Sequence, residues 1–530
     1  MTTETTPADK QTDHASTQSG IGITATPPVG TTDATGLKIR MYRVGFGDFF
    51  LVTVPTSSGN QFILIDCGVF KGTSGTGDLG SIVDAVEDMH HTTDGHLALV
   101  IMTHRHADHI AGFSKAPQFE KFEASMVWMP YWEQFNDPKD KAKKDKAKKE
   151  KAKKDNDTDK DEDEDDAKKF DNSAHNLLVD IDELAKNLAF QFRGKQDPEA
   201  KEALAQLANA TGIEDFSVAP KRGGGNAAAL DVLKNHLGKN GENVRYYAAG
   251  DEPELPAELK GLKAKILGPP PQKAKVFLTL MDLKKGVGQY LDSMSDGDQG
   301  QPETIKPFPK EWYADFEEDR PKDYPKLDLR DELIDYKQFA QVVENAQPDM
   351  LVAAAGKIEN FLNNQSLVVL FEFGGKKLLF AGDAQGGNWE YWLFKTDEPQ
   401  KDPTKAGDII ETSKELLETI DFYKVGHHGS TNATPIQAIE AAVARPASST
   451  GFVSMCSTEE GVYGNSERGT EVPRTPLIEV LKKGSCLVRS DAVEVRRSDG
   501  TVVKANEKAE LPEPKVGKIE KTNLYIEYSF

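Results

Sequence analysis

The stretch that decides the fold is THRHADHIAG, residues 103–112. Its side chains that can bind a divalent metal are His104, His106, Asp108 and His109. Four such side chains cannot all point at one ion from a helix, but a loop at a strand end can share them between two ions. The apolar run LALVIM (97–102) predicts a buried strand that leads into this loop, and Gly112 would let the chain turn away. The stretch therefore predicts a metal centre at a strand end.

Two later stretches repeat this pattern of an apolar strand that ends in metal-binding side chains. FAGDAQ (380–385) delivers Asp383, whose carboxylate can bridge two metals with one oxygen on each. KVGHHGST (424–431) delivers His427 and His428. One histidine can complete the second metal, while the other can hold substrate or shuttle a proton. We assign His427 to the metal and His428 to catalysis, and the reverse assignment stays open.

The composition indicates a large acidic globular protein. The chain has 530 residues and a net charge of −21, which argues against broad nonspecific coating of DNA. A small phosphorylated substrate, or nucleic acid in a local basic groove, remains allowed. Three scattered cysteines indicate a reducing compartment. Because the sequence shows no secretory signal and no apolar run of membrane-spanning length, we expect a cytoplasmic protein without membrane association.

The chain divides into a tail and one long domain with two insertions. Residues 1–36 are rich in Thr, Pro, Gly and Asp and are predicted to be a disordered tail. Residues 37–530 would form the domain. It is interrupted by a charged low-complexity insertion at 137–169 and by an acidic insertion or lid at 273–350. Both insertions offer surfaces that a protein partner can bind.

Six motifs in chain order make the sequence resemble the metallo-β-lactamase superfamily of hydrolases. They are VGFGDFFLV (44–52), FILIDCG (62–68), THRHADHIAG (103–112), ILGPP (266–270), NNQSLVVLFEFGGKKLLFAGDA (363–384) and YKVGHHGS (423–430). Within the superfamily the chain is similar to the hydrolase domain of the bacterial competence DNA-uptake channel proteins and to phosphorylcholine esterases. The resemblance implies an α/β fold of the α+β kind. In this αββα sandwich two sheets pack face to face, helices lie outside, and the metals lie at one edge.

The resemblance also implies a binuclear metal centre. His104 and His106 would bind one metal. Asp108 and His109 would bind the other, together with His427 or His428. Asp383 would bridge the two ions. Zinc is the favoured metal for imidazole and carboxylate ligands, with manganese and iron as alternatives.

Further positions follow from the same likeness. Asp66, at the end of FILID, would hydrogen-bond to the first motif and orient it, and Asp48 would be the acidic residue near the site. Many superfamily members carry one more histidine before the bridging aspartate. The histidines in that interval here, His175 and His236, do not follow a strand, so the first metal is expected to keep an open position. Competence-type proteins carry a histidine at the position where this chain has Asn465. The chain therefore departs from them in the part that would bind substrate.

These features predict a metal-dependent hydrolase. Two metals lower the pKa of a bridging water and supply hydroxide at neutral pH, which would attack a phosphorus or carbonyl centre. Phosphodiesterase or nuclease activity is the first hypothesis, with Asp108 and His428 as the catalytic residues and Ser430 as a donor to a phosphate oxygen. The alternatives are hydrolysis of a non-phosphate ester or lactone, and a metal-binding effector module that acts through a partner.

Overall fold

The computed structural model describes residues 35–70, 79–136, 185–186, 188–189, 193–194, 198–213, 225–271, 355–356, 358–359, 361–395, 410–430, 434–445, 451–464, 466, 471–492, 495–496, 502–504 and 511–530. The predicted tail, apart from its last two residues, lies outside these ranges. So do both predicted insertions, His175 and Asn465.

The described chain contains the following strands and α-helices. The strands are β1 (Lys38–Tyr42), β2 (Phe49–Thr56), β3 (Gly59–Cys67), β4 (His96–Leu97), β5 (Leu99–Ile101), β6 (Glu123–Ala124), β7 (Val127–Pro130), β8 (Val244–Tyr247), β9 (Lys263–Gly268), β10 (Val368–Phe373), β11 (Lys376–Phe380), β12 (Phe422–Lys424), β13 (Val453–Cys456), β14 (Cys486–Arg489), β15 (Val495–Arg496), β16 (Val502–Lys504), β17 (Lys518–Lys521) and β18 (Tyr525–Ser529). The α-helices are α1 (Ile82–Thr93), α2 (Ala107–Lys115), α3 (Pro198–Thr211), α4 (Asn226–Asp231), α5 (Gly386–Phe394), α6 (Glu411–Thr419), α7 (Ile436–Val443) and α8 (Thr475–Gly484). Among the described residues no helix combines the length and the apolar character needed to cross a bilayer.

Two large sheets organise the molecule. The first has eight strands in the order β17-β18-β1-β2-β3-β5-β7-β8 and is antiparallel up to β3 and parallel from β3 onward. The second has six strands in the order β14-β13-β12-β11-β10-β9 and is parallel from β14 to β11. Two short two-stranded sheets pair β15 with β16 and β4 with β6.

The alternating side chains of β2 show how the first sheet is buried on both faces. Phe50 and Val52 belong to a core cluster that also contains Phe371 and Phe380 of the second sheet. The rings of Phe50 and Phe380 lie 6.1 Å apart in an edge-to-face arrangement. Leu51 points to the opposite face and joins a cluster with residues of α1 and α2. The two sheets therefore pack directly against each other.

Helices cover the outer face of each sheet. A core cluster joins the first sheet to α1, α2 and α4, and another joins the second sheet to residues of α5, α6, α7 and α8. The chain is a mixed α and β protein with several sheets, which agrees with the predicted α+β class.

The parallel strands of both sheets end at a common edge. In the first sheet β3 and β5 run parallel, and in the second sheet β11 and β12 run parallel. The residues that follow these strands include the three motifs singled out from the sequence. Carboxyl ends of parallel strands are a frequent location of ligand sites, because the loops that leave them converge.

Candidate metal centre

The first motif is divided between a short loop and a helix. The loop after β5 carries His104 and His106, whereas Asp108 and His109 lie in the first turn of α2. The expectation that Gly112 lets the chain turn away was wrong, because Gly112 lies inside α2. A Cβ atom there would come within 2.5 Å of Cys67 Sγ, so the glycine allows α2 to pack closely on β3.

Four side chains from three separate elements meet at the common edge. Their ligand atoms lie within 4.8 Å of one another and belong to Asp108, His109, Asp383 and His428. His109 Nε2 lies 3.1 Å from one oxygen of Asp383, and His428 Nε2 lies 3.1 Å from one oxygen of Asp108. A second group, within the same limit, consists of His104, His106 and Asp108. Because Asp108 belongs to both groups, the two groups lie next to each other.

Five polar atoms of these groups are buried and make no hydrogen bond within the described part of the chain. They are Nε2 of His104, His106 and His109, Oδ1 of Asp108 and Oδ2 of Asp383. Two of them, His109 Nε2 and Asp383 Oδ2, lie 3.1 Å apart without hydrogen-bond geometry. Buried polar atoms that make no hydrogen bond are costly, and native proteins rarely leave several of them together. Nitrogen and oxygen atoms that converge in this way fit divalent metal ions, so these buried clusters could hold metal ions.

Asp66 orients the first motif from β3. One of its oxygens accepts a hydrogen bond from the Thr103 backbone N–H at 2.8 Å, and the other accepts one from the Thr103 hydroxyl at 2.6 Å. The second oxygen also lies 2.7 Å from His109 Nδ1. This contact turns the His109 ring so that Nε2 faces the cluster, as a carboxylate behind a metal-binding histidine does.

The two neighbouring histidines of the third motif have different surroundings. His428 is fully buried, and its Nδ1 lies 2.8 Å from the carbonyl of Ser457. If Nδ1 donates to that carbonyl, Nε2 keeps a free lone pair that faces the cluster. Both His427 and His428 have positive φ angles, 45° and 52°, so their backbone is held in the left-handed region. This sharp turn points the two rings in different directions.

The ring of His427 lies beside the ligand groups and not among them. Its Nδ1 is 2.6 Å from the Ser430 hydroxyl and 3.3 Å from the Gln385 amide, and its Nε2 is 3.2 Å from the Asn363 amide. Glu359 lies 3.7 Å from Nε2. On this geometry His428, and not His427, lies in a group of side chains that could hold a metal ion.

A buried lysine that the sequence analysis did not single out adds one positive charge beside the carboxylates of the centre. Lys424 Nζ pairs with Asp48 and lies 3.5 Å from Asp383. It also donates a hydrogen bond to the carbonyl of Gly382 at 3.1 Å. The backbone N–H of His427 donates to Asp383 at 3.1 Å. The signal for Lys424 was a single charged residue within the apolar strand FYKV.

The electrostatics keep the carboxylates of the cluster ionised and divide its imidazoles into two kinds. Burial lowers the pKa of His104 well below its usual value of 6.5 and also lowers the pKa of His106. Burial opposes ionisation of the carboxyl groups, but neighbouring imidazoles, foremost His109, outweigh it. They hold the pKa of Asp108 at about 2 and that of Asp383 well below its usual range. Burial would lower the pKa of His109, but Asp383 and the other neighbouring carboxylates outweigh it and raise this pKa well above 6.5. Neutral imidazoles and ionised carboxylates are the forms that coordinate metals, so His104 and His106 suit a metal as they stand, whereas His109 would release a proton on binding one.

A buried ion pair fixes the loop between the first two histidines. The Arg105 guanidinium makes a two-pronged contact with Glu133, with both N–O distances at 2.8 Å. The carbonyl of Arg105 accepts a hydrogen bond from the Asn226 amide at 2.7 Å. Both the side chain and the backbone of the loop are therefore anchored. By contrast His236 lies away from the cluster, with its Nε2 3.0 Å from the carbonyl of Phe119.

Aromatic side chains and α3 cover the centre. Each residue of the two ligand groups is at most 2 % exposed, whereas the His427 side chain is 14 % exposed. The Phe46 ring lies 4.3 Å from the His428 ring and 5.9 Å from the Tyr463 ring. From α3, Asn209 accepts a hydrogen bond from the Asp108 backbone N–H at 3.1 Å. His427 is thus the part of the centre closest to solvent.

No protein-family model matches the chain, and no curated protein matches it significantly. The interpretation of the site therefore depends on its own residues.

Proposed function

We propose that the chain is a metal-dependent hydrolase of the metallo-β-lactamase type that cleaves phosphodiesters. The observation that carries the proposal is the convergence of buried ligand atoms, without hydrogen-bond partners in the described chain, at an edge where two sheets end. The order of the layers supports the proposal. Two sheets face each other and helices cover the outer face of each, which is the order that an αββα sandwich requires.

The ligand groups suggest how two metal ions would be held. His104 and His106 would hold one ion. His109, His428 and Asp383 would hold the other, and Asp108 lies close enough to take part in both sets. Zinc is the favoured ion because imidazoles dominate the set. Such a pair of ions, when bound, supplies a nucleophilic water at neutral pH and stabilises the charge that develops at the scissile bond.

His427 is best placed to act on the substrate. It is more exposed than the ligand residues, and the amides of Asn363 and Gln385 and the hydroxyl of Ser430 surround its ring. These groups can donate hydrogen bonds to the oxygens of a phosphate and orient it. His427 would then protonate the leaving oxygen. Lys424, paired with Asp48, is held beside Asp383 and would fix the position of that carboxylate.

The test is an assay of metal-loaded protein, with zinc and separately with manganese, against bis-p-nitrophenyl phosphate. Asp108→Ala should abolish the release of p-nitrophenol, because Asp108 belongs to both ligand groups. Asp84→Ala, an exposed aspartate on α1, is the matched control and should retain full activity. Metal content should be measured on the same samples.

Each result decides between specific alternatives. Metal-dependent release that Asp108→Ala removes supports the proposal. If the protein binds about two metals per chain but releases no p-nitrophenol, a general phosphodiesterase is excluded. Carboxylic esters and lactones would be tested next. Protein that binds no metal under any loading condition would overturn the hydrolase proposal itself.

A further inference from the structure

A cavity of about 250 Å³ lies at the edge of the second sheet opposite the metal centre. Phe452, Val453 and Cys486 line it where β13 and β14 begin, and Asp421 lines it just before β12. The metal-binding residues follow the other ends of β11 and β12. Since a strand advances about 3.3 Å per residue, the length of β12 and its flanks separates the two sites by roughly 13 Å.

Aromatic rings form much of the cavity wall. Phe452, Tyr528 and Phe530 all line it, and the rings of Tyr528 and Phe530 lie 4.7 Å apart. Arg445 lies 4.5 Å from the centre of the Phe452 ring and donates a hydrogen bond to the carbonyl of Gly451 at 3.1 Å. This part of the wall is therefore fixed in place. Rigid aromatic walls are typical of sites that take a small flat ligand.

The segment 512–516 closes one side of the cavity. Tyr528 donates a hydrogen bond through its hydroxyl to the carbonyl of Val516 at 3.0 Å, which ties this segment to β18. Two prolines, Pro512 and Pro514, restrict its backbone. The cavity is thus a built feature of the fold, bounded by two sheets, the end of α8 and a fastened segment.

Positive charge dominates the rim. Lys376 is neutralised by Asp421, with 2.9 Å between nitrogen and oxygen. Lys483 and Lys515 line the cavity as well, and neither has an acidic partner among the residues that the structure describes. Glu513 is the remaining carboxylate of the lining. In a chain of net charge −21, two lysines that face a half-enclosed aromatic cavity provide a local site for an anion.

We propose that this cavity binds a small ligand that carries an aromatic ring and an anionic group, at a site separate from the metal centre. The ring would lie against Phe452, Tyr528 and Phe530. The anionic group would lie at the rim between Lys483 and Lys515. Binding there would leave the residues of the candidate metal centre untouched.

Cys486 allows this site to be tested directly in the full chain. It lines the cavity and is partly exposed, whereas Cys67 and Cys456 are buried. The probes are 2-naphthoate, an aromatic carboxylate, and 2-naphthamide, which has nearly the same shape without the charge. The measurement is the rate of Cys486 alkylation by iodoacetamide, followed by peptide mass spectrometry. Labelling of Cys67 or Cys456 in the same samples would reveal opening of the core.

The proposal expects selective protection of Cys486. At about ten times its Kd, 2-naphthoate should slow alkylation by about tenfold, because the cavity is then mostly occupied. The neutral amide should protect at much higher concentration only. Lys483→Gln combined with Lys515→Gln should weaken naphthoate binding by about fivefold, the effect of losing two exposed charge contacts. Lys482→Gln, an exposed neighbour on α8 that does not line the cavity, is the matched control.

Three outcomes would overturn the proposal. Millimolar 2-naphthoate without protection of Cys486 would show that the cavity does not take an aromatic anion. Equal protection by the amide would show that charge is not recognised. Equal weakening by Lys482→Gln and the double variant would show that the two rim lysines have no specific role.

Discussion

Asp66 Oδ2 lies 2.7 Å from His109 Nδ1 and 2.6 Å from the Thr103 hydroxyl, so one oxygen on β3 sets the orientation of a candidate metal ligand on α2. Asp66 holds this position with a φ angle of 53°. Aspartate and asparagine tolerate that left-handed backbone better than most residues. The contact therefore joins a strained strand end to the metal centre.

Asp66→Asn should weaken metal binding and leave the fold intact. Asparagine keeps the shape and tolerates the backbone angle, but it removes the negative charge that orients His109. We expect the metal affinity to fall by about 10-fold to 100-fold, the usual effect of losing a partner behind a metal-binding histidine. Competition with a fluorescent chelator measures the affinity. Asp84→Asn serves as the control, and unchanged affinity in Asp66→Asn would refute the orienting role.

His428→Ala and His427→Ala should separate metal binding from substrate handling. His428→Ala removes a ligand of one ion, so the metal content should fall by about one ion per chain. His427→Ala should keep its metals and lose turnover, because its ring lies outside the ligand groups. Elemental analysis beside the phosphodiester assay distinguishes the two. His96→Ala, an exposed histidine, should change neither quantity. The opposite pattern would restore the assignment that we made from the sequence.

Glu133→Ala should destabilise the protein even without metal. Arg105 and Glu133 are buried, and removal of the carboxylate takes away the charged partner to which the guanidinium donates two hydrogen bonds. Such a loss lowers the free energy of unfolding by about 3–5 kcal/mol. Urea denaturation of metal-free protein measures this quantity. Glu120→Ala changes an exposed glutamate next to the same region and should stay within about 0.5 kcal/mol of the unmodified chain. A similar small effect for Glu133→Ala would contradict the structural role of the pair.

The reactivity of Cys486 should depend steeply on pH. Burial raises the pKa of its thiol from 9.0 to about 11, so the thiol is protonated near neutral pH. Only the thiolate reacts, and its fraction grows with pH until the pKa is passed. Alkylation should accelerate by about tenfold per pH unit between pH 8 and 10. In denaturant the rate should level off near pH 9, close to the pKa of a free thiol. A plateau near pH 9 in the folded chain would contradict the raised pKa.

Short spacings allowed much of the site to be predicted from the sequence. His104, His106, Asp108 and His109 are close in the chain, and a strand before them restricts where they can point. The same reasoning applies to Asp383 at the end of β11. From the sequence we predicted a loop here and missed the helix at residues 107–115, because Gly112 and the polar residues of this stretch hide the helical pattern of α2.

The remaining parts depend on contacts between distant segments. Ser457 binds His428, and Asn363 binds His427, through pairings that no local pattern encodes. The roles of His427 and His428 could not be separated in advance, since two adjacent histidines look alike in the sequence. Their directions depend on a backbone turn with positive φ angles. The sequence also contained no indication of the cavity near Cys486, because residues from five elements line it.

The position of the ligand groups between the two sheets has a consequence for folding. The first sheet and α2 supply residues 104–109, and the second sheet supplies Asp383 and His428, which lie far along the chain. Neither half can assemble the whole set of ligands alone. Because an ion that binds only the native arrangement shifts the equilibrium toward it, metal concentration would control how firmly the two halves stay joined. The ions would therefore link the segment that holds residues 104–109 to the segments that hold Asp383 and His428, and chelation would first weaken the contact between the two sheets.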